Sequence, residues 1–314
     1  MKKKLAVVAF GGNALLRGNE IGTIEQQEKH TFETCKQLVG LLKNNYNIII
    51  THGNGPQVGN ILLRNEAGYE KYKIPQMPMD ICVADSQGGI GYMIERQMRN
   101  VLNEEKMKKD VITLVTQVLV DKNDPAFENP TKPVGAFYLK EEADLLAKAN
   151  NWVFKKDPRN RGWRKVVASP APIEVMNNKV IKSLANKGKI VIAVGGGGVP
   201  VYKHSNGYLE AIEAVIDKDL ASSLLAKEIS ADAFYIITDV PKVYINFNKK
   251  NQKALGKIKV SKVQKYLEQG EFAAGSMAPK IKAAINFVKN GGKESVITDA
   301  ESINKKNCGT RIVT

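Results

Sequence analysis

The feature that most restricts the fold of this chain is an alternation. Short apolar runs alternate with longer stretches of helical period along most of its length. Residues 5–10, 47–51, 111–120, 189–194, 233–238 and 294–298 read as strands. Residues 23–44, 79–104, 174–187, 217–229, 261–269 and 276–290 read as helices, and a further helix starts at Pro56 and runs to about residue 66. Thr23 stands three residues before Gln26, the spacing of a capping box. Gly291 suits the end of the helix before it. Strands and helices in turn predict an α/β fold, with a mainly parallel sheet covered by helices on both faces. Such sheets bind ligands at the carboxyl ends of their strands. Residues 121–172 interrupt the rhythm with Pro125, Pro130, Pro133, Pro158, Pro170 and Pro172 and both tryptophans. They read as an excursion from the main sheet, a small lid or subdomain inserted into one domain spanning 1–314.

Three glycine clusters follow three of the expected strands: Gly11-Gly12-Asn13, Gly53-Asn54-Gly55 and Gly195 to Gly198. Glycine tolerates positive φ and lets backbone N–H groups approach phosphate oxygens closely. One such cluster is as readily a tight turn. Three at the ends of strands in one sheet point to an anion site. The phosphate-loop pattern G-x-x-x-x-G-K-[ST] is absent, and Gly53 to Gly59 is one residue too long for the dinucleotide fingerprint and has Pro56 inside it. A nicotinamide oxidoreductase is therefore disfavoured.

Asp217-Lys218-Asp219 opens an expected helix. The plain reading is a capped helix with solvated charges. The functional reading is a lysine that neutralises a phosphoryl group, with an aspartate to orient it or to hold Mg²⁺. Lys280 follows Gly275-Ser276-Met277-Ala278-Pro279 and is either a surface lysine or one that faces bound phosphates. Thr238-Asp239 through Tyr244 is either a turn or a wall of a base pocket. The three histidines have no metal-ligand spacing, and no protein metal site is expected. His52, beside Gly53, reads as a structural hydrogen-bonding residue. No G-x-S-x-G elbow announces a nucleophile.

The net charge of +15 raises nucleic-acid binding as an alternative. The lysines are dispersed, and no basic run is interleaved with aromatics, so an enzyme acting on anionic metabolites is the better reading. No apolar stretch reaches the ~20 residues of a membrane span. The run 5–10 meets glycines rather than a cleavage site and reads as a buried strand, not a signal peptide. Three widely spaced cysteines, Cys35, Cys82 and Cys308, read as core thiols and suit a reducing cytoplasm.

Taken together, Phe10-Gly11-Gly12-Asn13-Ala14, His52 to Asn60, Asn129 to Gly135, Arg161 to Val167, Gly195 to Gly198, Ala214 to Asp219 and Gly275 to Lys280 resemble the carbamate kinases, a branch of the amino-acid kinase superfamily. The Thr131-Lys132-Pro133 and Arg161-Gly162-Trp163-Arg164-Lys165 segments single out the branch from kinases of amino acids, acetylglutamate or UMP. The resemblance implies a three-layer αβα sandwich on a mainly parallel sheet of about eight strands with a protruding subdomain. It implies a homodimer that moves a phosphoryl group between carbamoyl phosphate and ADP, with Mg²⁺, in arginine fermentation. It gives Gly11, Gly12, Asn13, Gly53, Asn54 and Gly55 to carbamoyl phosphate and the moving group. Lys132 would close over the substrate. Lys218 and Lys280 would neutralise phosphate charge, and Asp217 or Asp219 would position Lys218. Gly195 and Gly196 would line the phosphate channel, and Thr238, Asp239, Tyr244 and Met277 would flank the nucleoside. Phe10 stands where leucine is common in the family, and Asp239 where a small residue can occur.

Overall fold

In the first strand Leu5, Val7 and Ala9 point to one side and Ala6, Val8 and Phe10 to the other, and all six are buried. A strand buried on both faces needs a covering layer on each side. The computed structural model, which describes residues 3–16, 20–157, 160–273 and 275–314, supplies both layers. The central sheet contains β1 (Lys4–Phe10), β2 (Tyr46–His52), β3 (Val111–Thr113), β4 (Ile190–Ile192), β5 (Ala233–Thr238), β6 (Lys257–Lys259), β7 (Glu294–Asp299) and β8 (Thr310–Val313). Their order is β6-β8-β7-β5-β1-β2-β4-β3. Only β7 and β8 run antiparallel, and every other neighbouring pair is parallel.

The helices are α1 (Ile24–Lys43), α2 (Gly55–Tyr72), α3 (Met79–Glu104), α4 (Lys140–Asn150), α5 (Asn178–Asn186), α6 (Lys218–Glu228), α7 (Val260–Glu268) and α8 (Met277–Lys289). Helices α1 and α3 bury Cys35, Leu38, Ile94 and Met98 against the Ala6, Val8 and Phe10 face. Helices α5 to α8 bury Ile181, Leu225, Val263 and Ile281 against the other. This is the three-layer sandwich. The Thr23–Gln26 capping box is formed, with the Thr23 hydroxyl and the Gln26 side chain each accepting a backbone N–H. All three cysteines are buried and free.

Two of the expected elements are divided in the structure, the helix from Pro56 runs on to Tyr72, and Lys257–Lys259 and Thr310–Val313 are strands that the sequence reading did not expect. The expected strand 111–120 is two strands. After β3, Gln87 of α3 accepts the Thr116 N–H and donates to the Thr116 carbonyl. That side-chain pairing takes the chain out of the central sheet, and Gln117–Val120 joins a second, four-stranded sheet with Pro172–Val175, Val199–Lys203 and Leu209–Ala211. The expected helix 174–187 is likewise a strand, Pro172–Val175, and then α5, separated at Asn177 by a left-handed residue (φ 60°). Within 121–172, Lys132–Tyr138, Trp163–Val167 and Val153–Lys156 form an antiparallel sheet accompanied by α4. Val134 and Val167 attach it through a small core shared with Val58 of α2 and Cys82 of α3.

Phe234 of β5 is fully buried and meets Phe287 of α8 edge-on, with ring centroids 5.7 Å apart. Phe234→Ala removes that contact and leaves a cavity. It is expected to lower unfolding stability by about 3–5 kcal/mol in a urea titration.

Candidate active site

The site is built where β1, β2 and β4 end. Phe10 and His52 are paired in register, and the Gly53 N–H donates to the Phe10 carbonyl (3.3 Å). The first two glycine loops are thereby held side by side. The third follows β4 and packs beneath them. Gly196 has φ 66°, and a Cβ there would collide with the Asn54 amide. Gly197 has φ 96°, and a Cβ there would strike the Ile216 carbonyl, just before Asp217. Asn54 in turn donates to the Ser86 hydroxyl of α3 (2.8 Å).

Helix α6 brings in the charge. Asp217 caps it, its Oδ1 accepting the N–H groups of Asp219 (2.9 Å) and Leu220 (3.3 Å). Its other oxygen accepts Lys132 Nζ from the excursion (3.0 Å). The same carboxylate thus caps the helix and pairs with Lys132, while Lys218 pairs with Asp219 instead. Asp219, 3% exposed, lies one helix position behind Lys218. Its two oxygens accept Lys218 Nζ (2.7 Å) and Lys280 Nζ from the first turn of α8 (2.9 Å). Burial alone pushes the Asp219 carboxyl up, but the two ammonium groups outweigh it and hold the pKa at about 2. For Lys218, burial and then the charge of Lys280 outweigh Asp219, so its pKa is lowered. A buried carboxylate bracketed by two cations keeps its charge, and it keeps two like charges close together.

Gly12, Gly53, Asn54, Gly55, Lys132, Gly196 and Lys218 line one cavity of about 240 Å³. Its lining of glycine backbone and two lysine side chains suits an anion. Gly11 abuts the Ile237 carbonyl of β5. The side chain of Asn13 lies outside the described residues. Gly195 packs on the His52 ring, Asp219 joins Lys280 to Lys218, and Asp217 holds Lys132; Asp219, Lys280 and Asp217 do not line the cavity itself. The four residues expected at the nucleoside do not line it. Thr238 and Asp239 border a separate cavity of about 620 Å³ with Glu33 and Asp299. Tyr244 lies on a short hairpin paired with Ala254, and Met277 opens α8 against the larger core. Three supporting residues escaped the sequence reading. Gln57 lines the anion cavity, Ser86 fixes Asn54, and Gln87 fixes Thr116, which accepts the Val194 N–H at the start of the third glycine loop. For Ser86 and Gln87 the available signal was polar residues at helical spacing among the apolar positions of α3, a stripe that also carries Gln97.

The sandwich and its lysine-lined glycine pocket define a kinase, an enzyme of phosphoryl transfer. Residues 4–299 match the amino acid kinase family. The carbamate kinase of Thermococcus kodakarensis is 50% identical over 299 residues, covering 95% of this chain and 94% of that one. That of Pyrococcus horikoshii is 48% identical over 295 residues, covering 94% and 93%. The structure of carbamate kinase from Giardia lamblia bound to AMP-PNP superposes with a TM-score of 0.92 at 42% identity, over 99% of this chain and 98% of that one. The chain belongs to the amino acid kinase family, in its carbamate kinase branch.

His52 is buried, and its Nδ1–H donates to the Gly53 carbonyl (3.0 Å). Burial, reinforced by the charge of Lys218, lowers its pKa from 6.5 to about 4, against the opposing pull of that carbonyl. The imidazole is therefore neutral at pH 7. Between pH 6.5 and 4 the unfolded chain takes up the proton and the folded chain does not, so stability falls as pH falls. The loss is expected to reach about 3 kcal/mol below pH 4. In His52→Gln, chemical unfolding measured across this window should lose that slope.

Proposed function

We propose that this kinase transfers a phosphoryl group reversibly between carbamoyl phosphate and ADP, giving carbamate and ATP. The observation that carries the reading is the Lys218–Asp219–Lys280 bridge behind a glycine-walled cavity, with Lys132 on the same cavity. An ADP β-phosphate oxygen attacks phosphorus as the bond to the carbamoyl oxygen breaks. Carbamate leaves as an anion, so no group has to accept or supply a proton. That suits a cavity whose nearest histidine is buried and neutral. Catalysis is then alignment and charge neutralisation. Gly11, Gly12, Asn13, Gly53, Asn54 and Gly55 give backbone and amide donors to the acyl phosphate. Lys218 and Lys280 offset charge on the moving group and on the nucleotide phosphates. Asp219 positions both, Asp217 positions Lys132, and Lys132 closes over the substrate. Gly195 and Gly196 form the phosphate channel, and Thr238, Asp239, Tyr244 and Met277 flank the nucleoside.

The donor set does not suit a metal ion held by protein alone. Both oxygens of Asp217 and of Asp219 are engaged, and no cluster of three or more His, Cys, Asp or Glu among the described residues has metal-site geometry. In this reading Mg²⁺ arrives on the phosphates of ATP or ADP. Carbamoyl phosphate is an acyl phosphate and a stronger phosphoryl donor than ATP, which favours the ATP-forming direction, as the last step of arginine fermentation through the arginine deiminase pathway. The proposal places the enzyme in the cytoplasm as a homodimer. It has one domain, 1–314, with 121–172 as an inserted subdomain, and no nucleic-acid or membrane partner. None of the described helices is long and apolar enough to cross a membrane.

Luminometric detection of ATP from carbamoyl phosphate, ADP and Mg²⁺ tests the reaction, and no ATP above an acetyl phosphate control would overturn it. Lys218→Ala should lower turnover by about 10²–10³. Lys132→Ala should raise KM for carbamoyl phosphate more than KM for ADP, and unchanged kinetics would leave that lysine a purely structural role.

A further inference from the structure

The segment Arg161-Gly162-Trp163-Arg164-Lys165 plays no part in the reaction as derived above. Its two arginines border a second cavity, of about 430 Å³, which shares Gly55, Pro56, Gln57 and Pro133 with the 240 Å³ cavity. Both guanidinium groups lie over the Phe137 ring, 4.6 Å from its centroid for Arg161 and 5.0 Å for Arg164. Arg161 is satisfied, pairing with both oxygens of Asp157 (3.0 and 2.9 Å). Arg164 is not. One NH₂ group donates to the Gly135 carbonyl (2.9 Å), but its buried Nε has no partner. Burial and the neighbouring charge of Arg161 both lower its pKa, against the pull of Asp157. Among the described residues no Asp or Glu lines this cavity. What lines it besides the arginines is apolar groups, the amides of Gln27, Gln57 and Asn60, and the start of α2, whose first N–H groups carry partial positive charge.

Asp157, whose charge acts on Arg164, already takes the Arg161 pair, and the half-buried Arg164 guanidinium keeps an unused donor beside a cationic neighbour. A planar fork of this kind fits a phosphate oxygen pair better than any neutral group. We propose that the Arg164 cavity is a second oxyanion site, which takes the phosphate group of a small molecule beside the reaction cavity. Its ligand follows from the function proposed above. Carbamoyl phosphate would dock on Arg164 before passing Gln57 and Pro133 to reach Lys218, and Arg164 is thus a docking residue rather than a catalytic one. A purely structural Arg164 would do no more than hold the Gly135 carbonyl and so the strand that carries Lys132.

Isothermal titration with inorganic phosphate separates the two. Lys218→Ala protein, weakened in the reaction cavity, should still bind phosphate. Lys218→Ala/Arg164→Gln should bind it at least tenfold more weakly, and Arg164→Lys in the same background should also lose affinity, because an ammonium lacks the fork. Phosphate affinity unchanged by either Arg164 substitution, or absent already in Lys218→Ala, overturns the site. If Arg164→Gln fails to fold, Arg164→Lys and Arg161→Gln decide by the same titration. The titration needs no turnover. Arg164-dependent binding in a protein that makes no ATP from carbamoyl phosphate keeps the site and removes the reaction. ATP formation without that binding keeps the reaction and removes the site.

Discussion

Asp219 is the residue on which the geometry of the site depends. It is a buried carboxylate with one lysine on each oxygen, and the lysines come from the first turns of two different helices. Without it, Lys218 and Lys280 would be two half-desolvated like charges with no reason to stay together. With it, α6 and α8 are tied at their N-terminal ends, and the net charge of the trio is positive. That positive charge faces glycine loops whose backbone groups add partial positive charge of their own. A hydrophobic isostere would hold the helices as well or better, but it would not hold two ammonium groups in place. The trio is understood more readily as a device for placing charge than as a source of stability.

The glycine loop at 195–198 performs a second kind of work. Its residues are buried, and each approaches a different element: His52, Asn54, the Ile216 carbonyl and Val118. The loop is as much a packing junction as a wall of the anion cavity. It seats the second glycine loop above it and sets the height of Ile216, and so of the Asp217 cap. Any side chain there would separate the lysines from the loops they face.

Much of this was legible in the sequence because both faces of the sheet are covered. Continuous apolar runs such as residues 5–10 and 233–238 announce strands of that kind, and the amphipathic periods between them announce the covering helices. The glycine clusters marked the strand ends, and the density of charge at 217–219 marked a helix start. Pairing was not legible. Asp217 and Lys132 are 85 positions apart, and Asp219 and Lys280 are 61 apart, so which aspartate meets which lysine depends on tertiary placement. The break after β3 was hidden for the same reason. The run 111–120 has the composition of one long strand, and the Gln87 side chain that diverts it lies on a distant helix. Ser86 and Gln87 read as helix surface until their burial is known. The sequence places Thr238, Asp239, Tyr244 and Met277 near strand ends and helix starts, but nothing local says which side of the sheet edge each one faces.

The strand order also governs when the site comes into being as the chain folds. Gly11, Gly53 and Gly196 become neighbours only after β1, β2 and β4 have aligned in parallel, and β4 reaches β2 after an intervening chain that includes the whole excursion. Parallel pairings at such separations close late, because loop entropy is lost before any contact offsets it. A chain in which β4 has not joined β2 therefore lacks the third glycine loop beneath the other two, and the cavity is incomplete until that pairing forms.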